Sequence, residues 1–382
     1  MKINNLLLVF SALALFSSCF NDDVTTIPTE EKTNNQNTER LTTPKTALPA
    51  VYVAGIDVNK YRPLLQSDFD INPNKMGFIH FRGVNRSYIG NNTFNLATED
   101  NLVAQVNLAK ENNLLIGVYH RLIAMPSTKA NPFQSAKDQA QVLINAITAI
   151  GGLQPGMWPI VDIERKPAEA SSEMWAQLTP EERMNFITTF NYTIEVKYGI
   201  KPIVYMQESF VTEFLTGTSN LNLVANQTNY NNQLTTLGRH LLWEVNIDGF
   251  PQPAAPFTFA NFSQVSFGER ATNLRPVPLT DQTDPANKKD QDIYNGNFGQ
   301  LVNSANKPDL MISKLADKGI IVAFLQKRLK DLGYYSGTIG INKNAVFDQA
   351  TKTATINFQV AKGLVADGVI GKNTRNLMYN IN

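Results

Sequence analysis

The strongest sign of chemistry in this chain is a pair of carboxylates at the end of the apolar segment 159–164, which reads PIVDIE. Asp162 and Glu164 are two residues apart, so in a strand both side chains point to the same face. Two carboxylates held together in a cleft of low dielectric ionise in separate steps, so one stays protonated while the other carries charge. Hydrolysis of an acetal needs such a pair, because the leaving oxygen takes a proton while positive charge develops at the anomeric carbon. A divalent-metal site or a salt-bridged strand end would also place D-x-E here.

A third acid, Asp57, ends the first apolar run of the folded part, GIDV (55–58). The carboxyl ends of the strands of a β/α barrel meet at one rim. We therefore expect Asp57 to open onto the same rim as Asp162 and Glu164, and this favours a catalytic interpretation of the D-x-E pair.

Short apolar runs alternate with helical windows from about residue 48 onward. Predicted strands are Val51–Val58, Gly77–Phe81, Leu114–Tyr119, Trp158–Ile163, Pro202–Tyr205, His240–Val245 and Phe257–Phe267. Predicted helices are Glu99–Asn112, Ser135–Ile150 and Pro180–Tyr198, the last with Thr179 as its N-cap. This alternation predicts an α/β fold class, an irregular (β/α) TIM-like barrel over 48–303. A polar linker at 304–309 then precedes a small helical unit at 310–382.

Composition excludes several classes of protein. A net charge of +1 gives no overall field that would gather nucleic acid. One cysteine excludes an internal disulfide framework, and three scattered histidines exclude a Cys/His zinc cluster. The sequence contains no nucleotide-binding glycine loop, no Ser/His/Asp constellation and no CxxC pair. We therefore expect no cofactor and no metal.

Residues 1–19 are predicted to be a secretory signal, with Lys2 as its charged part and an apolar stretch from Leu6 to Phe16. The only cysteine, Cys19, lies where a bacterial lipoprotein signal places the cysteine that receives lipid. Residues 20–47 are rich in Thr, Asn, Glu and Pro, and are predicted to be a disordered tether. This part of the chain predicts a lipid-anchored protein of the cell envelope, at the outer membrane and facing either the periplasm or the outside.

The order of motifs along 50–300 resembles the family 25 glycoside hydrolases, the Chalaropsis-type lysozymes. The motifs are GIDV (55–58), a strand ending at Arg82, NNLLIGVYH (112–120), PIVDIE (159–164) and KPIVY (201–205). The resemblance implies an irregular β/α barrel that cleaves the β-1,4 bond between N-acetylmuramic acid and N-acetylglucosamine. It makes Glu164 the general acid/base and Asp162 either a nucleophile or the residue that orients the substrate's 2-acetamido group. It places Asp57 in the surrounding acidic ring.

The same resemblance implies further site residues later in the chain. A fourth acid is expected in the segment DQDIYNG (290–296), with Asp292 as the candidate and Asp290 as the alternate. Substrate contacts are expected from Tyr119, Tyr205 and Gln264. Asn85 stands where the family often has an acid, and the strand around Gln264 departs from the usual W-Q-Y, so the sugar-contacting surface differs from the family pattern.

Residues 310–382 contain the succession V..LQ..L..LGYY.G, T..A...FQ and GL..DGV.G..T...L. This succession resembles the peptidoglycan-binding domain 1 repeat, which implies a three-helix fold. The segment holds ten basic and four acidic residues, a net charge of +6. That charge either attracts the acidic wall polymer or forms a solvated face.

Two modules that resemble partners of one polymer predict a peptidoglycan muramidase held at its substrate by a second binding site. Its partners would be peptidoglycan and, through Cys19, a membrane. A wall-binding lipoprotein with a degenerate barrel is the first alternative. A hydrolase of the same fold that acts on another N-acetylated polysaccharide is the second.

Overall fold

The computed structural model describes residues 51–71, 75–164, 174–245, 253–266 and 289–381. The predicted signal, Cys19 and the tether lie outside these residues. Within them, no helix is long and apolar enough to cross a membrane.

Eight strands form a closed barrel. They are β1 Val53–Val58, β2 Met76–Arg82, β5 Leu115–Arg121, β6 Met157–Ile163, β7 Ile203–Met206, β8 Leu242–Val245, β9 Phe262–Ser266 and β10 Asp290–Tyr294. Their order around the barrel is β1-β10-β9-β8-β7-β6-β5-β2. Adjacent strands are parallel except β10, which runs antiparallel to β1 and to β9. The predicted α/β barrel is confirmed.

The predicted strands agree with the structure except near the end of the barrel. The strand expected over Phe257–Phe267 begins only at Phe262. Pattern reasoning missed three strands. One is β10 Asp290–Tyr294 of the barrel, and the other two, β3 Val84–Gly90 and β4 Thr93–Thr98, form an antiparallel hairpin after β2. Their alternation is weak because much of the hairpin is exposed, which leaves little burial pattern to detect.

Helices cover the outside of the barrel. The longer ones are α2 Leu102–Glu111, α4 Pro132–Ala149, α5 Pro180–Tyr198 and α8 Gln227–Leu237, with shorter turns α1 Gln66–Ile71, α3 Pro126–Ala130, α6 Glu208–Phe210 and α7 Thr218–Leu221. A π-helical turn spans Val211–Thr216. Helix α5 begins as predicted, because Thr179 accepts a hydrogen bond from the Glu182 backbone and Glu182 reaches back to Thr179.

Most of the buried apolar residues form two layers separated by the strands. One layer packs between strands and helices and includes Ile56, Phe81 and Phe186. The other fills the barrel and includes Phe78, Trp158 and Phe262, together with residues of the C-terminal unit. Side chains that alternate along each strand thus supply both layers.

The C-terminal unit has three main helices, α10 Ile320–Asp331, α11 Gln349–Ala361 and α12 Lys372–Tyr379. They follow a short helix α9 Phe298–Ser304 at the end of the barrel. The three-helix domain is therefore confirmed.

This unit packs against the end of the barrel where the parallel strands begin. The Ile320 amide donates to the Asn112 carbonyl at 2.9 Å, and Asn113 Nδ2 donates to the Lys318 carbonyl at 3.0 Å, both just before β5. Phe324 of α10 stacks on Phe298 with ring centroids 4.4 Å apart. Because the acids lie at the opposite ends of the strands, the unit and the acids lie at opposite ends of the barrel.

The predicted polar linker is part of this contact. Asn306 donates its side-chain amide to the carbonyls of Leu153 and Gln154, at 3.1 and 3.2 Å. Its backbone pairs with Met157 and Gly156 at 3.0 Å each. Asn306 of the segment 304–309 is thus hydrogen-bonded to the barrel, and this contact joins the two units.

Candidate active site

Strand direction decides which acids meet. Asp57 lies near the carboxyl end of β1 and Asp162 near the carboxyl end of β6, and Glu164 follows β6 directly. The side chains are largely buried but reach the barrel mouth, since Asp57 is 7% exposed, Asp162 is 8% and the Glu164 side chain is 13%. The structure therefore brings the three predicted acids to one end of the barrel.

Both oxygens of Glu164 have polar neighbours. Arg121 Nε lies 3.5 Å from Glu164 Oε1, and Gln207 Nε2 donates to Glu164 Oε2 at 3.4 Å. Arg121 ends β5 and lies beside Asp162 in the strand register. These contacts hold the carboxylate from two sides at the mouth of the barrel. Sequence reasoning missed Arg121 and Gln207, although each is the polar residue at or just after the end of an apolar strand.

Gln264 connects the two sides of the site. Its Oε1 accepts a hydrogen bond from the Tyr205 hydroxyl at 3.0 Å. Its Nε2 donates to Asp57 Oδ2 at 2.9 Å and to Asp290 Oδ2 at 3.2 Å. Arg62 Nη1 lies 3.6 Å from Asp290 Oδ1. A single side-chain amide thus bridges two aspartates and one tyrosine.

Of the two aspartates in DQDIYNG, the structure brings the alternate to the mouth of the barrel. Asp290 pairs with Asp57 in the register of β10 and β1, and Asp292 pairs with Gly55. Because β10 is antiparallel to β1, moving two residues along it leads down into the barrel. Asp292 is fully buried there, with Oδ1 accepting a hydrogen bond from Trp243 Nε1 at 3.1 Å. Asp292, the candidate for the acidic ring, therefore lies inside the barrel, and the alternate Asp290 lies at its mouth.

The two predicted substrate tyrosines line the upper part of the barrel. Tyr119 is 9% exposed and Tyr205 is 6% exposed. Burial raises the pKa of the Tyr205 hydroxyl well above its usual value, and the negative charges of Glu164, Asp162 and Asp57 raise it further. Tyr205 therefore stays a protonated donor to Gln264, and these three acids all lie close enough to act on its hydroxyl.

Several further residues have structural roles. Trp175 is buried against Phe186 and Phe210, so it packs in the core. His120 shares a hydrogen bond with Gln139 at 3.1 Å. Asn85 lies on the hairpin strand β3, paired with Ala97.

Arg82, at the end of β2, is also part of the scaffold. Its guanidinium donates to Glu99 at 3.1 and 3.3 Å, and Glu99 is buried. Among the residues that the structure describes, no group of three or more His, Cys, Asp or Glu could hold a metal ion.

Two parts of the chain match known families. The family model for glycosyl hydrolases family 25 matches residues 79–229, and that of a peptidoglycan binding domain matches residues 318–378. No curated protein matches the chain.

Similar solved structures include three enzymes. A muramidase from Acremonium alcalophilum is 18% identical over 66% of this chain and 99% of its own, with a TM-score of 0.45. A bacterial lysozyme from Streptomyces coelicolor is 16% identical over 68% of this chain and 99% of its own, with a TM-score of 0.45. A family 25 glycosyl hydrolase from Bacillus anthracis is 14% identical over 69% of this chain and 98% of its own, with a TM-score of 0.46.

The closed barrel carries its acids at the carboxyl ends of the strands, and residues 79–229 match the family model of the glycosyl hydrolases family 25. The chain carries a glycosyl hydrolase family 25 domain followed by a peptidoglycan-binding domain, and both resemblances drawn from the sequence are confirmed. The family match covers Tyr119, Asp162, Glu164 and Tyr205. Asp57, Gln264 and Asp290 lie outside it and join the site through the fold.

Proposed function

We propose that this protein is a peptidoglycan muramidase that hydrolyses the β-1,4 bond between N-acetylmuramic acid and N-acetylglucosamine. The observation that carries the proposal is the meeting of Asp162, Glu164 and Asp57 at one end of a family 25 barrel. The peptidoglycan-binding domain supports the same polymer as substrate.

Glu164 is proposed as the general acid/base. It is half-buried whereas Asp57 and Asp162 are buried, and Arg121 and Gln207 lie beside its two oxygens. It would protonate the glycosidic oxygen as the bond breaks and then accept a proton from the water that completes hydrolysis.

Asp162 is proposed to act at the anomeric carbon. Its position two residues before Glu164 on β6 places both on the inner face of the barrel. It either attacks the anomeric carbon or holds the 2-acetamido group that does so, and both roles need a carboxylate at this point.

Asp57 and Asp290 are proposed to complete the acidic ring. Gln264 donates to one oxygen of each, so their positions depend on one another. Tyr119 and Tyr205 are proposed to contact the sugar rings from the upper barrel.

The C-terminal domain is proposed to hold the enzyme on the wall. It packs against the end of the barrel away from the acids through Ile320 and Phe324, and Asn306 of the linker binds the same end. The enzyme would therefore bind wall material at one end while it cuts at the other, which raises the local substrate concentration without new chemistry.

The chain is further proposed to be a lipoprotein of the cell envelope, anchored through Cys19 at the outer membrane. This rests on the sequence of residues 1–19.

A non-catalytic wall-binding protein is the second candidate. Asn85 on the hairpin, in place of an acid, favours it. The three acids that meet at the barrel mouth favour the muramidase.

The experiment that tests the proposal is digestion of purified peptidoglycan by protein starting near Phe20, beside the variant Glu164→Gln. Products are reduced with borohydride and identified by mass spectrometry. Reduced muramic acid ends made only by the wild type would support both the activity and the role of Glu164. Reduced glucosamine ends would place the cut at the other bond. Sedimentation with intact sacculi but no cleavage would favour the second candidate.

A further inference from the structure

Asp292 is a buried carboxyl that the proposed reaction does not use. It lies on β10 inside the barrel, is fully buried and pairs with Gly55 in the register. Its Oδ1 accepts a hydrogen bond from Trp243 Nε1 at 3.1 Å. Its Oδ2 lies 3.7 Å from His80 Nδ1, and His80 is also fully buried.

Burial disfavours charge on both members of the Asp292–His80 pair. Burial raises the pKa of Asp292 well above its usual value, and the charge of Asp290 raises it further, while the hydrogen bond from Trp243 lowers it. Burial lowers the pKa of His80 to about 3. The separation of 3.7 Å would suit an ion pair, but the loss of water around both groups disfavours both charges. A neutral carboxyl still offers a lone pair to an indole N–H.

Trp243 lies between the Asp292–His80 pair and the tyrosines of the site. Its ring packs edge-on to His80 at 4.4 Å and to Tyr205 at 4.7 Å, and lies 6.1 Å from Tyr119. Tyr205 in turn donates to Gln264, which donates to Asp57 and Asp290. An unbroken series of contacts therefore runs from Asp292 to the acids at the mouth of the barrel.

We propose that Asp292 is a positioning residue, whose hydrogen bond fixes the Trp243 ring as the floor on which Tyr205, Gln264 and the rim aspartates are placed. A buried indole N–H needs an acceptor, and Asp292 is the acceptor that the structure supplies. The indole N–H of Trp243 needs an acceptor oxygen at this point, and that oxygen does not have to carry a charge.

The side chains below the Trp243 ring are closely packed, which supports a fixed position for that ring. A Cβ atom on Gly117 would lie 2.5 Å from His80 Cδ2 and 2.5 Å from Ile160 Cδ1. His80 is therefore held between β5 and Trp243, and the Trp243 ring has His80 on one side and Tyr205 on another.

The inference rests on the proposed muramidase activity and is tested with purified peptidoglycan, four single variants and one double variant. Asp292→Asn keeps the acceptor oxygen and the shape, whereas Asp292→Leu keeps the size and removes the acceptor. Trp243→Phe removes the donor. Asp290→Asn, two residues away on the same strand, is the matched control at the mouth of the barrel.

The expected result is a rescue by the conservative variant. Asp292→Asn should keep kcat/KM within about threefold of the wild type, whereas Asp292→Leu and Trp243→Phe each lose about tenfold. The double variant Asp292→Leu/Trp243→Phe should resemble the worse single variant, because both remove one hydrogen bond, whereas independent roles would multiply to about a hundredfold. Asp290→Asn should lose about tenfold or more, because its carboxylate belongs to the site.

Two results would overturn the proposal. Loss of activity in Asp292→Asn as complete as in Glu164→Gln would mean that the carboxylate itself takes part in the reaction. Wild-type activity in a folded Asp292→Leu or Trp243→Phe would mean that the hydrogen bond positions nothing. If Asp292→Leu does not fold, the activities of Asp292→Asn, Asp290→Asn and Trp243→Phe still show whether the hydrogen bond positions the site.

A second measurement separates this proposal from the proposed function. If the wild type does not cut peptidoglycan, the muramidase proposal fails, and the hydrogen bond is then read from the indole N–H resonance of Trp243, assigned by its loss in Trp243→Phe. Asp292→Asn should leave that resonance close to its wild-type position and Asp292→Leu should shift it. An unshifted resonance in Asp292→Leu would reject the contact itself.

Discussion

The side-chain amide of Gln264 donates a hydrogen bond to Asp57 Oδ2 at 2.9 Å, although their strands, β9 and β1, are not neighbours in the barrel. Strand β10 lies between them, and the same amide nitrogen reaches Asp290 on that strand at 3.2 Å. One neutral donor therefore lies between two carboxylates that would otherwise repel each other. We therefore expect Gln264 to position Asp57 and Asp290, in addition to its proposed contact with sugar.

Replacing Gln264 by Glu should disable the site. The new side chain still offers an oxygen to the Tyr205 hydroxyl, but it cannot donate to Asp57 or Asp290 and adds a third carboxylate beside them. We expect kcat/KM on peptidoglycan to fall by about tenfold or more, with the melting temperature as a check on folding. Tyr205→Phe is the control, since it removes only the hydroxyl and should cost less. Equal activity of Gln264→Glu and wild type would show that the bridge has no role in the reaction.

Asp162→Asn should cost about 10²–10³ in kcat, because either proposed role at the anomeric carbon needs a negative charge. The substitution keeps the volume, so folding should be little changed. Asp138→Asn, on the exposed face of α4, is the matched control and should leave kcat unchanged. The measurement is the initial rate of release of reducing ends from purified peptidoglycan. A wild-type rate for Asp162→Asn would exclude both roles.

The D-x-E pair could be placed from sequence because alternation along a strand is a local rule. Asp57 could be placed because parallel strands share one rim. The choice between Asp290 and Asp292 could not be made in that way. It depends on the antiparallel direction of β10 and on its pairing with Asp57, which only the closed barrel determines.

The neighbours of Glu164 were also beyond local reasoning. Arg121 and Gln207 lie on β5 and just after β7, more than forty residues from Glu164 in each direction, and only the barrel brings them to it. The same holds for the C-terminal domain. Its helical pattern predicts its own fold but not the contacts of Phe324 and Ile320 with the barrel.

Removing residues 310–382 would expose Phe298 and leave the carbonyl of Asn112 without its partner Ile320. Because these contacts join the barrel and the C-terminal domain, we expect the two to unfold together, in a single thermal transition.

Phe324→Ala tests that coupling. The stacked contact with Phe298 should be lost, which lowers the free energy of unfolding by about 2 kcal/mol for a half-buried ring. The whole transition, followed by circular dichroism and calorimetry, should move to lower temperature. Val360→Ala, at an exposed position on α11, is the control and should leave the transition unchanged. Two transitions, of which Phe324→Ala moves only one, would contradict the coupling.

Stability should fall in acid because of two buried histidines. Burial lowers the pKa of His80 to about 3 and that of His120 to about 4, from 6.5 in the unfolded chain. For His120 the Gln139 hydrogen bond opposes burial and the charge of Arg86 adds to it. Between pH 7 and pH 5 the unfolded chain therefore binds a proton at each histidine that the folded protein does not. Each histidine lowers the free energy of unfolding by about 2 kcal/mol over that interval.

His120→Gln isolates one of these contributions. The glutamine amide can donate toward Gln139 Oε1 as the imidazole Nε2 does, but it does not titrate. Asp292, whose raised pKa makes stability rise as pH falls, acts equally in the wild type and the variant, so its effect cancels in the comparison. Urea unfolding at pH 7 and pH 5 should show a loss about 2 kcal/mol smaller in His120→Gln than in the wild type. Phe190→Leu, which alters the packing against His120 without changing a titratable group, should lower stability by the same amount at both pH values. An equal acid loss in His120→Gln and wild type would mean that His120 is protonated as readily in the folded protein as in the unfolded chain.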